Sequence, residues 1–250
     1  ANPIPSHHFT GWSGSGLTDA NSSITTVTMT EPRNVTASFA LNRYRLDVAA
    51  ETGGNVIGSG IFGHGTIATI AAAPKTGYDF SGWSGLGTSD SNSSYALVFM
   101  TKDHNITANF QLKTYPLTVI AETGGTVSGS GTFEHGNEAN VTATPIIGQH
   151  FTGWSGTGIS NATKANATVS MTKARNITAH FAINQYNLAV SFEPGGSAIG
   201  SGTFEHGTQA TITAGAETGY SFAGWTVGAT DVNAITTTVD MTEDRNVSAT

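Results

Sequence analysis

A 71-residue period governs this chain. Gly-Trp recurs at Gly11-Trp12, Gly82-Trp83, Gly153-Trp154 and Gly224-Trp225, with the tryptophans at 12, 83, 154 and 225. Tyr44, Tyr115 and Tyr186 keep the same interval, as do Gly53-Gly54, Gly124-Gly125 and Gly195-Gly196, and so do His64, His135 and His206. A fixed period of this kind implies that one small supersecondary unit is copied along the chain, so the folding problem is that of one unit and its neighbours. The phase slips once: Met29, Met100 and Met171 are followed by Met241, one position early, which puts a single deletion between Trp225 and Met241 in a stretch with loop composition.

The period divides the chain into residues 1–40, which match only the second half of a unit, then 41–111, 112–182 and 183–250. The last unit stops one position before the phenylalanine expected from Phe39, Phe110 and Phe181. The expectation is a window on a longer array, or an orphan half-unit completed by a neighbouring chain.

Within a unit the pattern is that of short strands. In the copy from Tyr115, Leu117, Val119 and Ala121 alternate with Thr118 and Ile120, and Gly124-Gly125 supplies a tight turn. Thr126 to Ser128 forms a short strand, Gly129-Ser130-Gly131 a bend, and Thr132 to Gly136 runs to another turn. Ala139, Val141 and Ala143 then alternate with Asn140 and Thr142 up to Pro145, and Ile177, Ala179 and Phe181 alternate with polar neighbours in the final strand. Alternation of this kind implies half-buried antiparallel strands. Few stretches repeat apolar residues at helical spacing, so the fold class is all-β: a tandem array of small antiparallel modules of about 71 residues.

Aromatic residues at constant places mark the interior of each module. These are Trp12, Trp83, Trp154 and Trp225, with Phe80, Phe151 and Phe222 three positions before three of them, and Phe39, Phe110 and Phe181 in the last strand. The competing reading is a sugar-stacking platform of exposed indoles, which the neighbouring phenylalanines argue against.

Composition removes other classes. Only 10 Lys+Arg are present in a chain of net charge −7, scattered singly, so no basic stripe exists for nucleic acid or anionic lipid. No apolar run reaches a membrane span, so no membrane insertion is expected in this segment, and the absence of cysteine excludes disulfides, thiolate metal sites and thiol nucleophiles. His64, His135 and His206, with Glu134 and Glu205 beside two of them, supply one imidazole per unit, short of a zinc site. Glu51, Glu122 and Glu193 precede the Gly-Gly turn without the aspartate-rich spacing of a calcium loop. Every recurring polar residue occurs once per unit, whereas an active site needs a convergent constellation. The expectation is therefore no catalytic residue, no metal and no cofactor. Sequons make Asn21, Asn34, Asn92, Asn105, Asn161 and Asn176 candidate glycosylation sites, since strand alternation puts the asparagine and the hydroxyl residue of Asn34, Asn105 and Asn176 on one face.

Five separated blocks recur in order at one period. In the second full copy they are Tyr115-Pro116-Leu117-Thr118-Val119, Thr123 to Phe133, Phe151-Thr152-Gly153-Trp154-Ser155, Met171-Thr172, and Asn176 to Phe181. Along essentially the whole chain this pattern resembles the divergent internalin-type B-repeat. That resemblance implies tandem modules in large bacterial or archaeal surface or secreted proteins, acting as spacer, stalk or adhesion elements, with no catalytic residue to carry over. It also implies an alternative architecture, β-grasp-like units with a short helix, although no helical stretch is evident between the tryptophan and the last two strands.

Two functions follow as expectations. One is a structural role at the cell surface or outside the cell, as stalk, sheath or filament, with neighbouring repeats or chains as self-association partners. The other is an adhesin whose repeats each bind a glycan or surface protein weakly, strengthened by multivalency. The loops 87–94, 158–168 and 228–237 differ widely while interior positions stay constant, which favours the structural role.

Overall fold

The computed structural model describes residues 1–85 and 87–250, and no helix occurs among them. The first copy is a pair of strands, β1 (His7–Gly14) and β2 (Val35–Leu41). The next comprises β3 (Arg43–Ala50), β4 (Gly54–Ile57), β5 (Gly60–Gly63), β6 (Ile67–Pro74), β7 (Tyr78–Ser84), β8 (Tyr95–Phe99) and β9 (His104–Leu112). The same order returns in β10 (Thr114–Ala121), β11 (Gly125–Ser128), β12 (Gly131–Glu134), β13 (Glu138–Pro145), β14 (Gln149–Gly156), β15 (Asn166–Ser170) and β16 (Arg175–Ile183). The last copy has β17 (Gln185–Phe192), β18 (Gly196–Ile199), β19 (Gly202–Glu205), β20 (Thr208–Ala216), β21 (Thr236–Met241) and β22 (Arg245–Ala249). By contacts the chain forms two compact units, Ala1–Lys113 and Thr114–Thr250.

Each full repeat is built from two sheets. In the first, a four-stranded sheet ordered β5-β3-β9-β7 accompanies a three-stranded sheet ordered β4-β6-β8, and the second repeat has the same arrangement in β12-β10-β16-β14 and β11-β13-β15. The core draws on both: Leu46, Trp83, Ile106 and Ala108 from one sheet cluster with Ala68, Ile70, Ala72, Ala96 and Val98 from the other. Leu117, Trp154 and Ile177 with Val141 and Val169 repeat it, and Leu188, Trp225 and Val247 with Ile212 and Val239 repeat it again. Burying the alternate residues of every strand against a facing sheet is the stable arrangement for amphipathic strands.

The Gly-Ser-Gly bend is where the chain passes between the sheets. β4 pairs with β6 in one sheet, and β5, two residues on, pairs with β3 in the other. Where β5 ends its pairing at Leu46↔Gly60, the serine of the bend takes over: Ser59 Oγ accepts from the Val48 amide at 2.9 Å. Ser130 does the same for Val119 at 2.9 Å and Ser201 for Val190 at 2.8 Å. A hydroxyl thus satisfies an amide that would otherwise lack a partner at the sheet switch.

One pairing differs from an all-antiparallel module. The first strand of each repeat lies parallel to the last, as in Leu46↔His104 through Ala50↔Ala108, Leu117↔Arg175 through Ala121↔Ala179 and Leu188↔Arg245 through Phe192↔Ala249. Parallel neighbours need a long crossover, and here the intervening strands supply it.

Two glycine positions show why that residue recurs. β7 and β14 carry a bulge just before their Gly-Trp, and Gly82 and Gly153 sit there at φ +137° and +157°. In the first two full repeats the second glycine of the Gly-Gly pair lies under an aromatic ring: a Cβ on Gly54 would stand 2.0 Å from Cζ of Phe110, and one on Gly125 2.2 Å from Cζ of Phe181.

Candidate functional site: the junctions between repeats

Asn184 is the single residue between β16 and β17, and both repeats hold it. Its amide donates to the Gly148 carbonyl at 2.8 Å, and its own carbonyl accepts from the His206 amide at 2.8 Å. The side chain is engaged as well, with Oδ1 2.8 Å from His150 Nδ1 and Nδ2 donating to the Tyr186 hydroxyl at 3.3 Å. His206 packs over Gly148, where a Cβ would come 2.1 Å from its Cδ2, and its ring lies 5.9 Å from that of Tyr186.

Asn42 stands at the same place between β2 and β3. Its amide donates to the Ser6 carbonyl at 2.8 Å and its carbonyl accepts from the His64 amide at 2.7 Å, while its side chain reaches His8 Nδ1 and the Pro5 carbonyl. At the third such position the residue is Lys113, whose amide donates to the Gly77 carbonyl at 2.8 Å and whose ammonium pairs with Asp79 at 3.1 Å. At Asn42 and Asn184, a linker of one residue with its backbone groups bonded on both sides leaves little freedom to swing.

His64 and His206 belong to these junctions, and all three recurring histidines make ring contacts. His64, His135 and His206 lie 5.9, 6.0 and 5.9 Å from Tyr44, Tyr115 and Tyr186, and the Nδ1 atom of each is buried without a hydrogen bond. Among the described residues no group of three or more His, Cys, Asp or Glu is arranged to hold a metal. Glu51, Glu122 and Glu193 are exposed at the turn, and Glu122 pairs with His180 at 2.9 Å.

The tryptophans face inward and tie down a loop. Trp83, Trp154 and Trp225 are 5–6% exposed, and their indole nitrogens donate to the carbonyls of Ser93, Lys164 and Ala234 at 2.9 Å. Trp12 is half-buried and bonds Ser22 at 3.0 Å. The acceptor lies 10 residues along in the first three copies and 9 in the last, which places the deletion inside that loop. Phe80, Phe151 and Phe222 meet these indoles at 5.4 to 5.7 Å, and Phe9 meets Trp12 at 5.8 Å. Phe110 and Phe181 cover the Gly-Gly turn, whereas Phe39 is 41% exposed.

One recurring role escaped the sequence pattern. Arg175 donates from Nε to the Ser170 carbonyl, from Nη1 to Thr157 and from Nη2 to Thr172, pinning the long loop beside Gly158. Arg33 bonds Ser15 and Thr30 in the same way, and buried His104 packs beside Gly87 at the equivalent place. The signal was the recurrence of Arg33, Arg175 and Arg245 before the sequon of the last strand. Asn21, Asn34, Asn92, Asn105, Asn161 and Asn176 are all exposed, and Asn161 Oδ1 accepts from both the amide and the hydroxyl of Thr163.

These features define an all-β array of serial modules with short, bonded junctions. The divergent InlB B-repeat domain model matches residues 1–43, 44–114, 115–185 and 186–250, so the chain belongs to that family. Membership agrees with a repeat segment of a cell-surface protein. No match was found among curated proteins. Among solved structures, the Bacillus anthracis TIE protein aligns at 7% identity with a TM-score of 0.37, covering 89% of this chain and 53% of that one, so the chain spans about half the length of that structure.

Proposed function

We propose that this chain is a spacer segment of an extracellular or cell-surface protein, in which serial B-repeats build an extended stalk. The observation that carries this reading is the junction. Asn42 and Asn184 are each bonded through the backbone to the repeat before and the repeat after, and through the side chain to the repeat before, so the modules on either side of each are held at a set spacing. A compact module of about 70 residues is on the order of 30 Å across, so each added repeat should lengthen the array by about that much. The adhesin reading has less support, because the exposed loops differ from copy to copy while the interior does not.

Small-angle scattering on arrays of two, three and four repeats tests the stalk. A maximum dimension that grows by about 30 Å per repeat supports it; a dimension that grows only as the cube root of mass means the modules collapse together and the spacer reading fails. The exposed sequon asparagines, Asn161 foremost, are offered as glycan acceptors on such a stalk, and an intact mass of native protein without hexose increments removes them.

A further inference from the structure

One face of one repeat is unlike its counterparts. In the three-stranded sheet of the first full repeat the outward residues are Ile57 on β4, Ile67 on β6, and Tyr95, Leu97 and Phe99 on β8, which are 46–69% exposed. The ladder brings them together, since Ile67 is opposite Phe99, Thr69 opposite Leu97, and Ala71 opposite both Tyr95 and Ile57. At the same places the second repeat has Ser128, Glu138, Asn166, Thr168 and Ser170, with Glu138 opposite Ser170. The third repeat keeps an exposed isoleucine at Ile199 but has Gln209 opposite Asp240, with Thr236 and Thr238 on the same strand. Strand alternation explains inward apolar residues and leaves the outward face free, so an outward face that turns apolar in one copy alone is not needed for the fold.

We propose that this face is a self-association surface, on which a second copy of the chain packs sheet against sheet about a twofold axis. No charged residue lies among its outward positions, so two copies can meet without like charges opposed, even though the chain carries net charge −7. The area fits a weak dimer. The five large side chains leave on the order of 500 Å² uncovered, taking roughly 200 Å² for a free side chain of this size. Two such faces together reach about 1,000 Å², the lower bound of a specific interface. Pairing is by face and not by strand addition, because the outer edge of β8 is already occupied: Ser89 donates to the Leu97 carbonyl at 2.8 Å and the Leu97 amide donates to Ser89 Oγ at 3.0 Å. Such contacts between neighbouring stalks would add lateral cohesion by multivalency. The pairing rests on the face alone, so its failure would leave the spacer reading standing.

Sedimentation equilibrium of the whole chain over a range of concentration tests it. The expected result is a reversible monomer–dimer equilibrium with a dissociation constant of about 10–100 µM, as befits an interface at the small end of the range. Replacing the face by the residues that the second repeat carries, Ile67→Glu, Leu97→Thr and Phe99→Ser, is expected to weaken the dimer at least about tenfold with an unchanged far-ultraviolet circular dichroism spectrum. The single change Ile67→Glu, which sets like charge against like charge across the twofold, is expected to do most of this and guards against a folding defect in the triple variant. A wild-type chain that stays monomeric to about ten times that concentration overturns the proposal, and leaves the face to a different occupant such as a sugar or a lipid surface. A variant that dimerises as tightly as the wild type also overturns it.

Discussion

The first and second full repeats have nearly the same inside and opposite outsides. Leu46, Ala68, Trp83, Val98, Met100, Ile106 and Ala108 are matched by Leu117, Ala139, Trp154, Val169, Met171, Ile177 and Ala179, all buried, and the one core difference in the central strand is Ile70 against Val141. On the outer face of the smaller sheet, Tyr95, Leu97 and Phe99 stand against Asn166, Thr168 and Ser170. The contrast shows where sequence freedom lies in this fold. Interior positions answer to packing between two sheets, where even a methylene is felt, and outward positions answer to whatever the surface meets.

The shared interior should respond alike in both repeats, and the tryptophan should respond most. Trp83→Ala and Trp154→Ala each remove an indole at 6% exposure together with the hydrogen bond that anchors its loop. A cost of about 3–5 kcal/mol is expected for each, against a total of about 4–10 kcal/mol for a module of this size. Hydrogen exchange resolved by repeat should show the mutated module losing most of its protection. Unequal losses greater than about 1 kcal/mol between the two would mean that the interiors are not equivalent.

Much of this interior was legible because it is periodic. Alternation located most strands, the all-β class followed from the lack of helical spacing, and the glycine pairs marked the turns that precede β4, β11 and β18. The parallel pairing of β3 with β9 was not legible, since a ladder between residues 46 and 104 depends on tertiary packing and no local pattern encodes it. The tryptophan anchors were hidden for a different reason: their acceptors are backbone carbonyls of Ser93, Lys164 and Ala234, and a carbonyl carries no residue identity. The junctions were legible as short connections but not as bonded ones. The outer face of β8 stood in plain view as Tyr95-Ala96-Leu97-Val98-Phe99, an unbroken apolar run where the next copy alternates, and only burial separates its inward Ala96 and Val98 from the rest.

The glycine under the phenylalanine ring should come next in effect. Gly54→Ala and Gly125→Ala each drive a methyl group into Phe110 or Phe181, and the overpacking is expected to cost about 1–3 kcal/mol in either repeat, read from the denaturant midpoint of the corresponding single repeat. Variants as stable as the wild type would show that the ring is not the obstacle.

Smaller again is the serine at the sheet switch. Ser59→Ala and Ser130→Ala remove the acceptor for the Val48 and Val119 amides, each bonded at 2.9 Å, and about 1–2 kcal/mol should be lost in both repeats. Both serines are exposed, but Val119 is buried where Val48 is half-buried, so the loss at Ser130 should be the greater of the two. The reverse order, measured by thermal denaturation of the separate repeats, would mean that water replaces the hydroxyl more readily at the more covered site.

The smallest effect should fall where the repeats differ most. Leu97→Thr and Phe99→Ser exchange outward side chains of β8 for those the second repeat already tolerates, and neither touches the buried Ala96 and Val98 beside them. A change under about 0.5 kcal/mol in the stability of the isolated first repeat is therefore expected, measured at concentrations too low for association. Partial exposure makes this a demanding prediction, because Leu97 is 46% exposed and some of its surface rests on neighbours. A loss of 2 kcal/mol or more would place the apolar face among the determinants of the module's own stability. It would then be an extension of the core, and its restriction to one copy would need a reason inside the repeat instead of a partner outside it.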